Sequence, residues 1–190
     1  MEINKKSVLY PPGGILMWII IYVELFTFGL AIAGLTFYGA QERVQFHQDS
    51  QQLNKLIATI NTILLLTGGF LVAKAVHLVK HQQFEKSSKF FLWAIVTGFG
   101  FLILKLIEYQ EKLEIGLDME YSTFFMFYWL MTGFHWIHVF VGIIILFFLR
   151  RSVRQQKNNA NMEDIEAGAA FWHMCDLIWL LLFPILYLLF

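Results

Sequence analysis

The chain has 190 residues, of which 58% are hydrophobic, 17% aromatic and 15% charged, and this is too apolar a composition for a soluble domain of its size. Fourteen basic and 14 acidic side chains give a formal net charge of zero, so no nucleic-acid partner is predicted. The single cysteine, Cys175, excludes an intrachain disulfide and a Cys-x-x-Cys redox motif.

Five segments are long and apolar enough to cross a bilayer, which takes about 20 residues for a hydrocarbon core of roughly 30 Å. Unpaired backbone groups are not tolerated in hydrocarbon, so all five are predicted to be helices. In chain order they cover residues 15–38, 57–79, 90–107, 122–149 and 165–190. The connections are too short to fold into a catalytic domain. Residues 1–190 are therefore predicted to form one all-α, multi-pass membrane domain.

Lys and Arg are distributed unequally over the connections. Nine of them lie in the N-terminal tail, the second connection and the fourth connection, whereas three lie on the opposite side. Because short cytoplasmic loops carry an excess of these residues, the N-terminus is predicted to be cytoplasmic and the C-terminus to lie outside. The larger group is Lys5, Lys6, Lys80, Lys86, Lys89, Arg150, Arg151, Arg154 and Lys157, and the smaller group is Arg43, Lys55 and Lys112.

Three of the predicted helices carry ionisable residues deep inside the span, where such residues are expensive and usually face protein or water. With a rise of 1.5 Å per residue, Glu24 and His138 lie about 14 Å and 16 Å from the cytoplasmic ends of their spans. His173 and Asp176, on one face of the last span, lie about 12 Å and 16 Å deep. His135 lies one turn further out. The sequence therefore predicts a buried polar layer formed by Glu24, His135, His138, His173 and Asp176.

This layer has three interpretations. The simplest is a hydrogen-bonded network that joins spans one, four and five, since a histidine beside a carboxylate reduces the cost of burying both. A proton relay would use the same residue types. Haem or metal ligation by His135, His138 or His173 is the third, although Asp176 and Glu24 can satisfy His138 and His173 without a metal.

Other ionisable residues of the spans receive simpler interpretations. Lys105 is predicted to be an interface anchor near the outer boundary, with Glu108 at i+3 as its partner. His77 and His81 are i and i+4 at the cytoplasmic end of the second span, where a solvated face or a headgroup contact is expected.

Four stretches resemble the subunit III family of the haem–copper oxidases and follow that family's order from residue 12 to residue 190. "STFFMFYWLMTGFHWIHVFVG" and "IEAGAAFWHMCDLIWLLLFPILYL" resemble its two signature spans. "MWIIIYVELFTFGLAIAGLTFY" resembles its span with a buried carboxylate, and "LNKLIATINTILLLTGGFLVAKAV" the next span with its Asn-Thr pair. Besides the polar layer, the residues of this resemblance are Asn61, Thr62, Glu108, Gly133, Glu166, Trp172 and Trp179.

The resemblance implies an accessory subunit that has no redox centre of its own and stabilises the catalytic subunit I. The haem and the copper or iron are then expected in partner subunits, and the location is the bacterial inner membrane. Glu24 matches the family's buried glutamate beside the catalytic subunit. Bound phospholipid is also implied, with Arg150, Arg151 and Arg154 as headgroup contacts, since guanidinium groups suit phosphate.

The chain departs from the long members of that family, which have seven spans, because it lacks their N-terminal helix pair. Its shortness and the sequences of its last two spans look most like the compact branch found beside nitric oxide reductases, although compact subunits of oxygen reductases also exist. Two functions from other classes remain open. One is a stand-alone membrane b-type cytochrome, and the other is a small ion transporter that uses Glu24 and Asp176.

Overall fold

The computed structural model describes residues 14–155 and 162–190, and within these ranges it contains six helices and no strand. This confirms the predicted all-α class. The helices are α1 (Ile15–Gln41), α2 (Arg43–Gln51), α3 (Lys55–Lys80), α4 (Phe84–Glu114), α5 (Thr123–Gln155) and α6 (Met162–Tyr187).

Five of these helices, all except α2, are long and apolar enough to cross a membrane, which confirms the five predicted spans. Three of the lysines that set the predicted orientation, Lys5, Lys6 and Lys157, lie outside the described residues. The placement of the N-terminus in the cytoplasm therefore stays a prediction.

Four of the five membrane-spanning helices, α1, α3, α4 and α5, are longer than the predicted apolar segments, whereas α6 has the predicted length but begins and ends three residues earlier. α4 has 31 residues and is about 46 Å long, whereas the hydrocarbon core is roughly 30 Å thick. Its last turns are rich in Glu, Lys and Gln, which are good helix formers and continue the backbone hydrogen bonds beyond the apolar segment. Hydropathy locates the membrane crossing and not the ends of the helix.

The short helix α2 was not predicted, because its sequence "RVQFHQDSQ" carries one strong apolar anchor in a polar segment. That anchor, Phe46, is fully buried and packs edge-on against Phe124 of α5, with ring centres 5.5 Å apart. Asp49 accepts a hydrogen bond of 2.6 Å from the Ser122 hydroxyl, and Ser122 in turn accepts from the backbone N–H of Phe125. These contacts hold α2 across the start of α5.

The core lies between α3, α4, α5 and α6. Of the most apolar 18-residue stretch in each helix, 39% is buried in α3, α4 and α5 and 56% in α6, but only 11% in α1. α1 is a peripheral helix that exposes most of its apolar surface.

Trp172 of α6 forms the centre of this core, and glycines on three other helices make room for its indole ring. A Cβ added to Gly98 of α4 would lie 2.7 Å from the ring, and one added to Gly68 or Gly142 would lie 3.1 Å from it. Because the ring is fully buried, the backbones of α3, α4 and α5 all approach α6 closely at this level.

Candidate functional site

Glu24 of α1 and His138 of α5 meet inside the membrane-spanning region. Glu24 Oε2 lies 3.2 Å from His138 Nε2, and the two side chains are 19% and 11% exposed. The other ring nitrogen, Nδ1, lies 2.8 Å from the backbone carbonyl oxygen of Phe134. A carbonyl oxygen can only accept, so Nδ1 carries a hydrogen and Nε2 is left to face the carboxyl group.

This geometry lets one proton neutralise the pair. With Nδ1 protonated, a single proton held between Glu24 Oε2 and His138 Nε2 makes the pair neutral overall, whichever of the two atoms carries it. Neutrality is the arrangement that a low-dielectric interior tolerates. The two atoms are within ion-pair distance but are not aligned for a hydrogen bond, so Glu24 Oε2 has no hydrogen-bond donor among the described residues.

His173 and Asp176 form a second pair within α6. His173 Nδ1 lies 3.5 Å from Asp176 Oδ2, and the histidine side chain is 45% exposed while the aspartate side chain is 10% exposed. Gly69 of α3 provides the space for the carboxylate, since a Cβ added there would lie 2.2 Å from Asp176 Oδ2. The aspartate therefore faces the backbone of α3.

The predicted single network over spans one, four and five requires a correction. Among residues 14–155 and 162–190, no hydrogen bond or ion pair joins the Glu24–His138 pair to the His173–Asp176 pair. The rotation of each helix directs these residues to different neighbours. The polar layer thus consists of two separate pairs and one further histidine.

That further histidine, His135, is fully buried, and neither of its ring nitrogens has a hydrogen-bond partner in the described part of the chain. Its ring stacks on Trp179 at 5.3 Å between ring centres and meets Phe101 edge-on at 5.6 Å. Aromatic rings therefore surround the imidazole of His135, and no carboxylate forms a hydrogen bond with it in the described residues.

The three histidines considered as haem ligands lie in three separate environments. His135 is enclosed by rings, His138 contacts Phe134 and Glu24, and His173 contacts Asp176. No group of three or more His, Cys, Asp or Glu side chains in the described ranges is placed to hold a metal ion.

A buried charged cluster joins α4, α5 and α6, and the sequence predicted only its Lys105–Glu108 pair. Its four members, Lys105, Glu108, Tyr128 and Tyr187, are all fully buried. Lys105 Nζ donates to Glu108 Oε2 at 3.1 Å, to the Tyr128 hydroxyl at 3.2 Å and to the Tyr187 hydroxyl at 3.1 Å. Both hydroxyls donate to Glu108 Oε1, at 2.9 Å and 2.7 Å. Every hydrogen of the ammonium and phenol groups has an acceptor.

The position of Lys105 therefore differs in part from the prediction. Its pairing with Glu108 is confirmed, but the interpretation as an interface anchor is wrong, because the ammonium group lies in the protein interior. The pairing could be found from the i and i+3 spacing in α4. Tyr128 and Tyr187 lie 20 and 79 positions from Glu108, and no local pattern connects them.

The residues of the family resemblance occupy different environments. Trp179 Nε1 donates to the Thr62 hydroxyl at 2.9 Å, which joins α6 to α3. Asn61 is fully buried, and neither atom of its amide has a hydrogen-bond partner in the described residues. Glu166 pairs with Lys80 at 2.8 Å. Gly133 lines an apolar groove between α1 and α5, and its Cβ position has no neighbour within 4 Å.

Three arginines lie together at the C-terminal end of α5. Arg150 and Arg154 line a cavity of about 510 Å³ with Lys89 of α4, and both also line a neighbouring cavity with Arg151. The Nε of Arg150 is buried without a hydrogen-bond partner among the described residues. Phe84 and Leu92 add an apolar wall to the first cavity. The arrangement suits a ligand with an anionic head and an apolar body.

The sequence matches the family model described as cytochrome c oxidase subunit III over residues 46–189. A cytochrome c oxidase subunit 3 from Thermostichus vulcanus is 31% identical over 163 residues, which cover 85% of this chain and 79% of the relative. One from Bacillus sp. (strain PS3) is 25% identical over 173 residues, which cover 90% of this chain and 83% of the relative. A protein from Aeropyrum pernix named heme-copper oxidase subunit I+III is 26% identical over 179 residues, covering 90% of this chain and 22% of the relative.

Proposed function

This chain belongs to the cytochrome c oxidase subunit III family, and we propose that it is the accessory subunit of a respiratory haem–copper complex in a bacterial cytoplasmic membrane. It packs against the catalytic subunit I and contributes no redox centre. The haem and the copper or iron belong to the partner subunits. The main support for this proposal is the similarity to the Aeropyrum pernix protein, which is named as subunits I and III in one chain.

The exposed surface of α1 supports an interaction within the membrane. Nearly all of its apolar stretch lies outside the protein interior, including Leu16, Tyr22 and Phe26, which are 72%, 64% and 67% exposed. We assign this surface to the catalytic subunit, with Glu24 beside the contact. The family-model match begins at residue 46, so the role of Glu24 depends on the resemblance of α1 and on its pair with His138.

The accessory role is mechanical. The cluster of Lys105 and Glu108 joins α4, α5 and α6, and Trp172 of α6 packs against α3, α4 and α5. A rigid bundle of this kind stabilises the catalytic subunit by binding its folded form.

Phospholipid is the proposed ligand of the arginine cavities. Arg150, Arg151 and Arg154 offer guanidinium groups for the phosphate, and Phe84 and Leu92 offer apolar contacts for the start of the acyl chains. With the proposed orientation these cavities lie at the cytoplasmic boundary, the side with more basic residues.

The experiment is purification from native membranes through an affinity tag on this chain. The proposal predicts that a catalytic subunit with haem is recovered with it in equal amount. The metal beside that haem, copper or iron, distinguishes an oxygen-reducing complex from a nitric oxide reductase. Recovery of this chain without any haem–copper subunit, under conditions that keep a known respiratory complex intact, would contradict the proposal.

The two alternative functions, a b-type cytochrome and an ion transporter, would each give a different experimental signal. A stand-alone b-type cytochrome would show a Soret band in the isolated chain, and replacement of His135 or His173 would remove it. An ion transporter would show flux in reconstituted vesicles, abolished by Glu24→Gln. The accessory-subunit proposal predicts neither signal from the isolated chain.

A further inference from the structure

Two exposed histidines, His77 and His81, lie beside each other at the C-terminal end of α3. We infer that they form a binding site for a divalent transition-metal ion of the Cu²⁺ and Zn²⁺ class. The inference is independent of the proposed respiratory function, since it depends on this helix end alone.

The helix places the two imidazoles on one face. The backbone N–H of His81, the residue that follows α3 as its C-cap, donates to the carbonyl of His77 at 3.2 Å, so the i to i+4 hydrogen bond extends to His81. The ring centres are 4.4 Å apart, and the ring planes are inclined at 60°. Two histidines with this spacing on one helix face are a known arrangement for binding Zn²⁺.

The distance between the rings fits chelation. A metal ion binds an imidazole nitrogen at about 2.0–2.1 Å, and two imidazoles bound at a right angle to one ion have ring centres roughly 4.5 Å apart. The observed separation of 4.4 Å is close to this value.

The surrounding turn is rigid. The N–H of Gln82 donates to the carbonyl of Val79 at 2.9 Å, and the N–H of Gln83 donates to that of Leu78 at 2.9 Å. A fixed helix end loses little conformational freedom when a ligand binds. The C-terminal end of a helix also carries partial negative charge, which favours a bound cation.

Two lysines flank the site and oppose a cation to different degrees. Lys80 forms an ion pair of 2.8 Å with Glu166 of α6, which compensates its charge. Lys74, one turn before His77, is exposed, and no ion pair involving it is recorded in the described ranges. Lys74 is thus the residue whose charge weakens the site.

The chemistry of the imidazole ligand determines which metal ions bind most tightly. Imidazole suits Cu²⁺, Ni²⁺ and Zn²⁺, and affinity at a given nitrogen site is highest for Cu²⁺. No third His, Cys, Asp or Glu of the described residues joins these two, so water completes the coordination. The site is accordingly open and weaker than a closed structural zinc site.

The test is titration of the full-length purified chain, without a polyhistidine tag, with Cu²⁺ and with Zn²⁺. The wild-type chain should bind one more equivalent of Cu²⁺ than the His77→Ala/His81→Ala variant does. The electron paramagnetic resonance spectrum of this bound Cu²⁺ should show two nitrogen ligands. Loss of a residue that only hydrogen-bonds to a metal ligand weakens metal binding by roughly 10- to 100-fold. Replacement of one of the two histidines, which contact the metal directly, should weaken binding by more than this. His47→Ala, in α2, is the matched control and should leave this site unchanged.

Two charge variants extend the test. Lys74→Gln should strengthen binding, because it removes the opposing charge, and Glu166→Gln should weaken it, because it leaves Lys80 uncompensated. Equal Cu²⁺ binding by the wild-type chain and the double histidine variant, in samples with the same circular dichroism spectrum, would overturn the inference. A Cu²⁺ spectrum with one nitrogen ligand would also overturn it.

Discussion

Lys105 Nζ lies 3.1 Å from Glu108 Oε2, and both side chains are completely buried in the bundle. The pair is not an isolated ion pair, because the hydroxyls of Tyr128 and Tyr187 complete the hydrogen bonds of both charges. A satisfied network of this kind specifies which helix faces meet, here those of α4, α5 and α6.

Removal of one charge from this cluster should be strongly destabilising. Lys105→Met leaves the Glu108 carboxylate buried without its partner, and we expect a loss of about 3–5 kcal/mol in the free energy of unfolding. The double variant Lys105→Met/Glu108→Met removes both charges and should lose less than the single variant. Denaturant unfolding in detergent measures both changes.

The matched control is Lys74→Met, since Lys74 is an exposed lysine of a neighbouring helix. Its effect should stay within about 0.5 kcal/mol. A double variant less stable than Lys105→Met would show that the cluster does not act as a unit.

The glycine that accommodates Trp172 gives a second prediction. Gly98→Ala places a methyl group 2.7 Å from the indole ring, and overpacking of this kind should destabilise the chain by about 1–3 kcal/mol. Gly29→Ala is the control, because nothing lies within 4 Å of its Cβ position, and it should not destabilise the chain. The midpoint of thermal unfolding compares the two, and equal losses would contradict the packing described for Trp172.

The separation of the polar layer into two pairs can be measured by double-mutant cycles. Glu24→Gln and His138→Gln should be non-additive by about 0.5–3 kcal/mol, because the side chains are in contact. Glu24→Gln and Asp176→Asn should be additive, since no hydrogen bond or ion pair links them in the described residues. Strong coupling between Glu24 and Asp176 would favour the single network over the two pairs.

Replacement of His135 by an apolar ring should not destabilise the chain, in contrast to the replacements above. Its two ring nitrogens are buried without partners in the described part of the chain, and an unsatisfied buried polar group costs about 1–3 kcal/mol. His135→Phe keeps an aromatic ring in the space beside Trp179 and Phe101, so the free energy of unfolding should stay equal or increase. His135→Ala should decrease it through the cavity that it leaves. A loss of stability in His135→Phe equal to that in His135→Ala would mean that the ring nitrogens have partners.

The contact between Glu24 and His138 agrees with the count of residues along their spans, whereas the rotation of each helix was not predictable from the sequence. Counting residues from the span ends placed Glu24 and His138 at similar depth, and the structure brings them within 3.2 Å. The same count placed His135 in the polar layer, but its ring faces Phe101 and Trp179. Which side of a helix faces which neighbour depends on tertiary packing, such as the fit of Trp172 against its three glycines, and a local pattern does not contain it.

Two features that the sequence did not predict, the helix α2 and the burial of Lys105, also depend on contacts between distant residues. α2 has too few apolar residues to mark a helix, and it forms because Phe46 finds a pocket beside Phe124. The burial of Lys105 depends on Tyr128 and Tyr187, which are distant in the sequence. Hydropathy treats a lysine near a span end as an anchor, because it does not register partners on other helices.

The central claim is that this chain is a subunit of a haem–copper complex and holds no redox centre itself. The most direct measurement is the visible spectrum of the separated subunits, after the complex purified through this chain is dissociated in mild denaturant. We expect all haem absorbance in the catalytic subunit and none above 400 nm in the fraction that contains this chain. Haem absorbance that stays with this chain, and disappears in the His138→Ala and His173→Ala variants, would contradict the account.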